Sequence, residues 1–424
     1  MRKFFKPGFV SISSAMLALL AYGVSPASAQ QYSRETVRGL TVVERPRPEL
    51  DPTGMPLGGF RMFPNLGVVE EYDDNIFATD SNEVDDFITK VQPEATIASQ
   101  WSRHALNLRA SGDFGFYADN TDENYEDYFA GADGRFDYSP RGYFSAGYDY
   151  RKLHEARGSP DNVNGIEPTE YDTNRARGGW FQKFNRLSFK AEEIWKRINF
   201  DDVLTSAGAS INNDDRDRDE LESSVRLGYE IVPEYEAFTR FAYFNRDYDN
   251  ALDDNGFNRD SDGYEIVGGT AVDFGGKLFG DVYVGYREQD FDDLALQKIN
   301  GVTFGGEMNW NAGNLTTFTA TVRRTIEETT QAAASGYFMT TAGIAVNHEL
   351  RRNIIGGLGF SYTNQDYEGI SRDDDLVNFS MNLDYQMNRL ATARLSYELT
   401  NRNSNIVGQD YTKNVVMVRL VLHR

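Results

Sequence analysis

One property recurs along this chain and limits what it can fold into: apolar and polar residues alternate with a period of two. The last run, VVMVRLVLHR, sets Val416, Val418, Leu420 and Leu422 on one side, with Arg419 and His423 among the residues between them. Side chains alternate across a β-strand, so a period of two predicts strands and excludes helices. HALNLRASGDFGFYAD repeats the pattern, with Leu106, Leu108, Ala110, Gly112, Phe114 and Phe116 against Asn107, Arg109, Ser111 and Asp113. So do SSVRLGYEIV (Val225, Leu227, Tyr229 and Ile231 against Arg226 and Glu230), YEIVGGTAVDF (Ile266 and Val272 against Glu265 and Asp273) and VTFGGEMNW (Phe304 and Met308 against Glu307). LVNFSMNLDYQM and ATARLSYEL add Phe379, Met381, Leu383 and Leu395 against Asp384 and Arg394. LSFKAEEIWKRINF loses its phase near Glu192 to Ile194, which predicts a bulge. EAFTRFAYFNRDYD is aromatic on both faces and leaves its outer side open.

The connectors fall into two alternating classes. One is short, as in SPRG, FNR, PEY and NAGN; the other is long and acidic, as in ADNTDENYED, VLTSAGASINNDDRDRD and DNALDDNGFNRDSDG. Short turns at one end and long loops at the other are the plan of an outer-membrane barrel, and strands counted between connectors number about 18. The expected fold is therefore all-β: a transmembrane, antiparallel, up-and-down barrel with short periplasmic turns and long acidic extracellular loops. Spanning strands need about 9–11 residues, which these runs supply. In lipid the sheet must close on itself, so the apolar face points outward and the polar face meets water. This reconciles an alternating greasy face with a mean hydropathy of −0.55 and a net charge of −22 over 424 residues. The alternative is a large soluble β-protein whose charged faces point outward. A propeller is set aside, because no blade motif repeats and its strands are usually shorter.

On this reading the lumen is lined by Arg109, Asp113, Arg226, Glu230, Glu265, Glu307, Asp384, Arg394 and Arg419. The acidic balance argues against nucleic acid as a partner. Cysteine is absent, which excludes thiol catalysis and thiolate metal sites. His104, His154, His348 and His423 lack metal-ligand spacing, and no G-x-S-x-G elbow or P-loop occurs. Glu192–Glu193 and Glu327–Glu328 should point to opposite strand faces and so not act as acid–base pairs. No catalytic residue, metal or cofactor is expected. The start, MRKFFKPGFVSISSAMLALLAYGVSPASAQ, has the three regions of a secretory signal peptide, cleaved after Ala29. Residues 30–63 should form a periplasmic arm, stiffened by Pro46, Pro48 and Pro52, and 64–424 the barrel. The loops 155–170 and 201–218 are candidates for folding inward. Tyr117, Tyr148 and Tyr283 would stack on sugar rings if they face the lumen.

The stretch ERPRPELDPTGMPLGGFRMFPNLGVVEEYDDNIF resembles the start of the putative β-barrel porin-2 family of Gram-negative outer-membrane proteins. The resemblance rests on Arg45-Pro46-Arg47-Pro48-Glu49, Asp51-Pro52, Gly58-Gly59-Phe60, Pro64 and Tyr72-Asp73-Asp74-Asn75-Ile76-Phe77. It implies a channel in the cell outer membrane, often the conduit of exopolysaccharide or capsule export, and no catalysis. A general diffusion porin for small solutes, or a structural or adhesive barrel with working surface loops, are the alternatives. Expected partners are outer-membrane lipids and lipopolysaccharide, the barrel-assembly machinery and, through the resemblance, periplasmic polysaccharide export components with their polysaccharide cargo. Many such barrels end on an aromatic residue that the machinery reads; this chain ends on Arg424.

Overall fold

The computed structural model describes residues 39–424; the expected signal peptide at 1–29 and the arm residues 30–38 lie outside them. Eighteen strands follow one another around a closed ring. They are β1 Phe60–Asp73, β2 Asp86–Ser99, β3 Ala105–Tyr117, β4 Tyr125–Ser139, β5 Gly142–His154 and β6 Glu170–Phe184. Then come β7 Leu187–Phe200, β8 Arg218–Val232, β9 Tyr235–Tyr248, β10 Ser261–Asp273, β11 Leu278–Phe291 and β12 Ile299–Asn311. The ring ends with β13 Thr316–Glu327, β14 Gly336–Arg351, β15 Ile354–Glu368, β16 Asp373–Asn388, β17 Ala391–Ser404 and β18 Tyr411–His423. Each strand pairs antiparallel with its neighbours in sequence. β18 closes on β1 from Asn65↔His423 to Asp73↔Val415, so no edge is left open. The first barrel strand starts at Phe60 rather than at Pro64, and Met55–Leu57 folds back on it.

Register continuity makes the two faces of the sheet distinct. On β18 Val418 and Leu420 are 56% and 41% exposed, while Val415 and Met417 are 8% and 6% exposed. The exposed side carries the aliphatic row expected from the sequence. The enclosed side is not uniformly polar, since Val69, Val415 and Met417 form an apolar patch within it. Trp101, Phe136, Phe144, Phe184, Tyr229 and Trp310 gather near the short-turn end of the outer surface, as an interfacial aromatic girdle would. β-Bulges at Asp137/Ser139, Glu230/Val232, Glu349/Arg351 and Gln386/Asn388 all sit at that end. Each adds the local twist that lets a tight turn close.

Two local expectations change. β7 has no bulge: its register runs unbroken against β6 and β8. The lost phase is real, and it turns Ile194 inward while Glu193 projects from the outer face, beside Gly178 and Ser223. β9 resolves its ambiguity by directing Phe238, Arg240, Phe244 and Arg246 inward and Phe241 and Tyr243 outward.

Candidate channel lumen

All nine charged residues singled out in the sequence fall on the enclosed face. Directly opposed pairs make this plain: Arg226 faces Arg240, Arg394 faces Arg419, and Asp384 faces Arg394. Like charges placed opposite each other repel, so each such pair needs carboxylates nearby. Arg226 meets Glu236 at 2.5 Å and lies 4.1 Å from the centre of the Phe238 ring. Arg240 is held between Glu265, at 2.8 Å, and Glu222. Arg394 pairs with Asp384, and Arg109 with Asp133 at 3.2 Å. Glu230 pairs with Lys183, and Glu307 accepts a hydrogen bond from Asn309 Nδ2 at 2.8 Å. Arg419 packs beside Gly67, where an added Cβ would stand 3.3 Å from its Nε. Asp113 is inward, with Oδ1 lacking a hydrogen-bond partner. The interior is thus a lattice of charges, denser along β8–β13 than the nine positions alone suggest.

That lattice includes groups the sequence reading passed over. Arg218 bonds Glu220 at 2.8 Å, Arg175 bonds Asp149 at 2.7 Å, and Arg246 pairs with Glu328. Glu327 and Glu328 do not face apart as strand neighbours. β13 stops at Glu327, so alternation ends there and both carboxylates reach the same cavity. Of the three tyrosines, Tyr117 and Tyr283 are on the inner face, whereas Tyr148 is on the outer, bonding Asn174 Oδ1 at 2.6 Å.

Both ends of the ring are obstructed. At the long-loop end the segment 155–169, between β5 and β6, crosses toward the opposite wall. Asp161 Oδ1 accepts hydrogen bonds from Thr329 Oγ1 (2.7 Å) and the Thr330 amide (3.1 Å), and Pro160 O accepts one from Gln331 Nε2 (3.0 Å). Gly158 O accepts a bond from Arg402 of β17. Gly158 also passes so close to Tyr411 that a Cβ would lie 2.9 Å from its hydroxyl. The crossing is anchored by buried pairs, Arg216–Glu155 at 2.8 Å and Arg157–Glu123 at 2.5 Å. The second candidate loop, 201–218, supplies Arg216 to this anchor.

At the short-turn end the N-terminal segment docks against inward-facing residues. The Val42 amide donates to Thr317 Oγ1 at 2.8 Å, and Arg47 Nη2 donates to Glu349 Oε2 at 2.8 Å, with Val42, Arg47 and Glu349 all buried. Arg352 bonds Glu49 at 2.6 Å, and Arg389 Nη2 bonds Pro48 O at 2.7 Å. The segment is not the stiff extended arm expected from its prolines. The Leu50 and Asp51 amides both bond Arg47 O, folding it into a turn whose charged residues reach several strand ends. Between the two obstructions, a cavity of ≈ 190 Å³ is lined by β5–β9, β11, β13 and the loops above them.

A closed ring with an apolar exterior and a charged interior is a porin-like arrangement. The family model described as putative beta-barrel porin 2 matches residues 47–424. The chain belongs to that family. It is an outer-membrane β-barrel of the porin-like channel kind, which points to a channel rather than to an enzyme. Among solved structures it is similar to OccK3 (OpdO) of Pseudomonas aeruginosa, at 11% identity and TM-score 0.45, with 85% of this chain and 96% of that one covered. It is also similar to a BenF-like porin of Pseudomonas fluorescens Pf-5, at 8% identity and TM-score 0.47, covering 86% and 99%. The ferric enterobactin receptor PfeA of Pseudomonas aeruginosa aligns at 7% identity and TM-score 0.46, covering 86% and 80%. No curated protein matches the chain.

Proposed function

We propose that this family member is a gated channel for small charged solutes, with its short-turn end in the periplasm and its long loops outside the cell. The observation that carries this reading is the interior itself. Fixed guanidinium and carboxylate groups line the wall, a loop spans one mouth, the N-terminal segment packs along the β11–β17 side of the other, and ≈ 190 Å³ lies open between them. That space takes on the order of ten waters or one small solute. Charged rings in a narrow lumen select by size and by charge pattern. The nine inward residues, from Arg109 to Arg419, act here as pore-lining groups. Residues 1–29 serve as a signal peptide for export, and sequencing of the mature N-terminus would then read from Gln30.

The exopolysaccharide conduit expected from the family resemblance requires both obstructions to leave together, and no feature of the described lumen favours it. Liposome swelling with a size series of solutes tests the two readings. The channel reading expects permeation by amino acids and other small charged solutes, slower passage of single sugars, and none of short oligosaccharides. A deletion strain that loses surface polysaccharide, with a purified protein passing no small solute, would overturn it.

A further inference from the structure

Most lumen cations have a carboxylate within hydrogen-bond reach. Among the described residues facing the cavity, Arg151, Lys196 and Arg287 make no such bond, though each has a carboxylate at ion-pair distance. Arg151 Nε stands 3.4 Å from Asp149, which already bonds Arg175. Lys196 on β7 stands 3.6 Å from Glu220, which already bonds Arg218. Arg287 on β11 stands 3.8 Å from Glu265, which already bonds Arg240, and Arg287 Nε is buried without a hydrogen-bond partner. On β13, Glu327 has the opposite deficit. It is 7% exposed and bonds the Thr325 hydroxyl at 2.7 Å, and among the described residues no cation is at ion-pair distance from it. The hydroxyl of Tyr171, 6% exposed, also borders the cavity without a partner.

We propose that this cavity is a binding site for a small zwitterion bearing one carboxylate and one protonated amine. The inference rests on the channel reading and names the solute class for it. A buried charge without a partner is costly, and removing the deficit on one side alone leaves the other. A simple anion satisfies Lys196 and Arg287 but is repelled by Glu327. A simple cation satisfies Glu327 and abandons the two basic groups. A solute with both charges answers both, its carboxylate toward Lys196 and Arg287 and its ammonium toward Glu327. The cavity wall agrees, carrying eight cationic and seven carboxylate side chains, so it favours neither sign alone. Leu153, Ile198 and Phe200 on the same wall leave room for a short apolar body between the charged ends.

The test uses the full mature chain in detergent and three probes of similar size: L-alanine, propionate and ethylammonium. Calorimetry should find alanine bound at least tenfold more tightly than either single ion. Glu327→Gln should weaken alanine about tenfold and raise propionate to match it; Lys196→Met should weaken alanine while leaving ethylammonium unchanged. Heat-modifiable electrophoretic mobility shows whether each variant folds. If Glu327→Gln does not fold, the wild-type selectivity and Arg287→Gln, which should also lose alanine, decide the matter. Propionate binding as tightly as alanine, or no probe binding at all, overturns the proposal. Conductance without alanine binding removes this site and leaves the channel; alanine binding without conductance removes the channel and leaves the site.

Discussion

Val418 and Arg419 are neighbours in the chain and meet different solvents. Val418 shares the outer face with Val416, Leu420 and Leu422, and Arg419 faces Arg394 inside. Val418→Arg should therefore cost about 2–4 kcal/mol when refolding into bilayers is titrated with denaturant. Arg419→Gln should cost less than half of that, because its Nε lacks a partner and the change removes a like-charge opposition. A second test at this scale concerns Arg47, buried against Glu349. Arg47→Ala leaves that carboxylate with only the exposed Arg352 3.9 Å away, so the loss should approach but not exceed the about 3–5 kcal/mol of a broken buried pair. It should release the docked segment, seen as faster proteolysis at 39–54 and a larger single-channel conductance.

The strands were legible because lipid and lumen each hold every second side chain to one chemistry. That is why β18, β3 and β16 each show one apolar and one polar face in their alternation along the chain. Legibility failed where a residue type suits either face. The aromatic residues of β9 are one case, since Phe238 and Phe244 pack inward under Arg226 and Arg287. Ile194 and Glu193 are another: an apolar residue lines the cavity and a carboxylate projects outward, which reads in one dimension as a bulge. The crossing of 155–169 was legible as length but not as a path, because its anchors Thr329, Arg402 and Arg216 are distant in sequence. If that crossing closes the mouth, Gly158→Val should lift it from Tyr411, and replacing 157–167 by a short Gly-Ser turn should raise conductance several-fold. Unchanged conductance in bilayer recordings of both variants would mean that the loop does not limit flow.

For the molecule as a whole, closure is what allows such a sheet to exist in hydrocarbon. β18 supplies the final ladder to β1, and without it β1 and β17 each expose a row of unpaired amides and carbonyls. Truncation before Tyr411 should abolish heat-modifiable mobility and membrane insertion altogether, rather than weaken them by degrees. Strand number followed from counting connectors and closure from the need to pair every backbone group in lipid, whereas the filled lumen did not follow, since sequence assigns a face but not how far a side chain reaches across. The most direct test of the central claim uses the absence of cysteine in the native chain. Single cysteines placed at 106 through 111 of β3 carry an environment-sensitive fluorophore in liposomes containing nitroxide lipids. Quenching should be strong at 106, 108 and 110 and weak at 107, 109 and 111, with a water-soluble quencher giving the reverse. Equal quenching at all six positions, or an alternation of opposite phase, would contradict it.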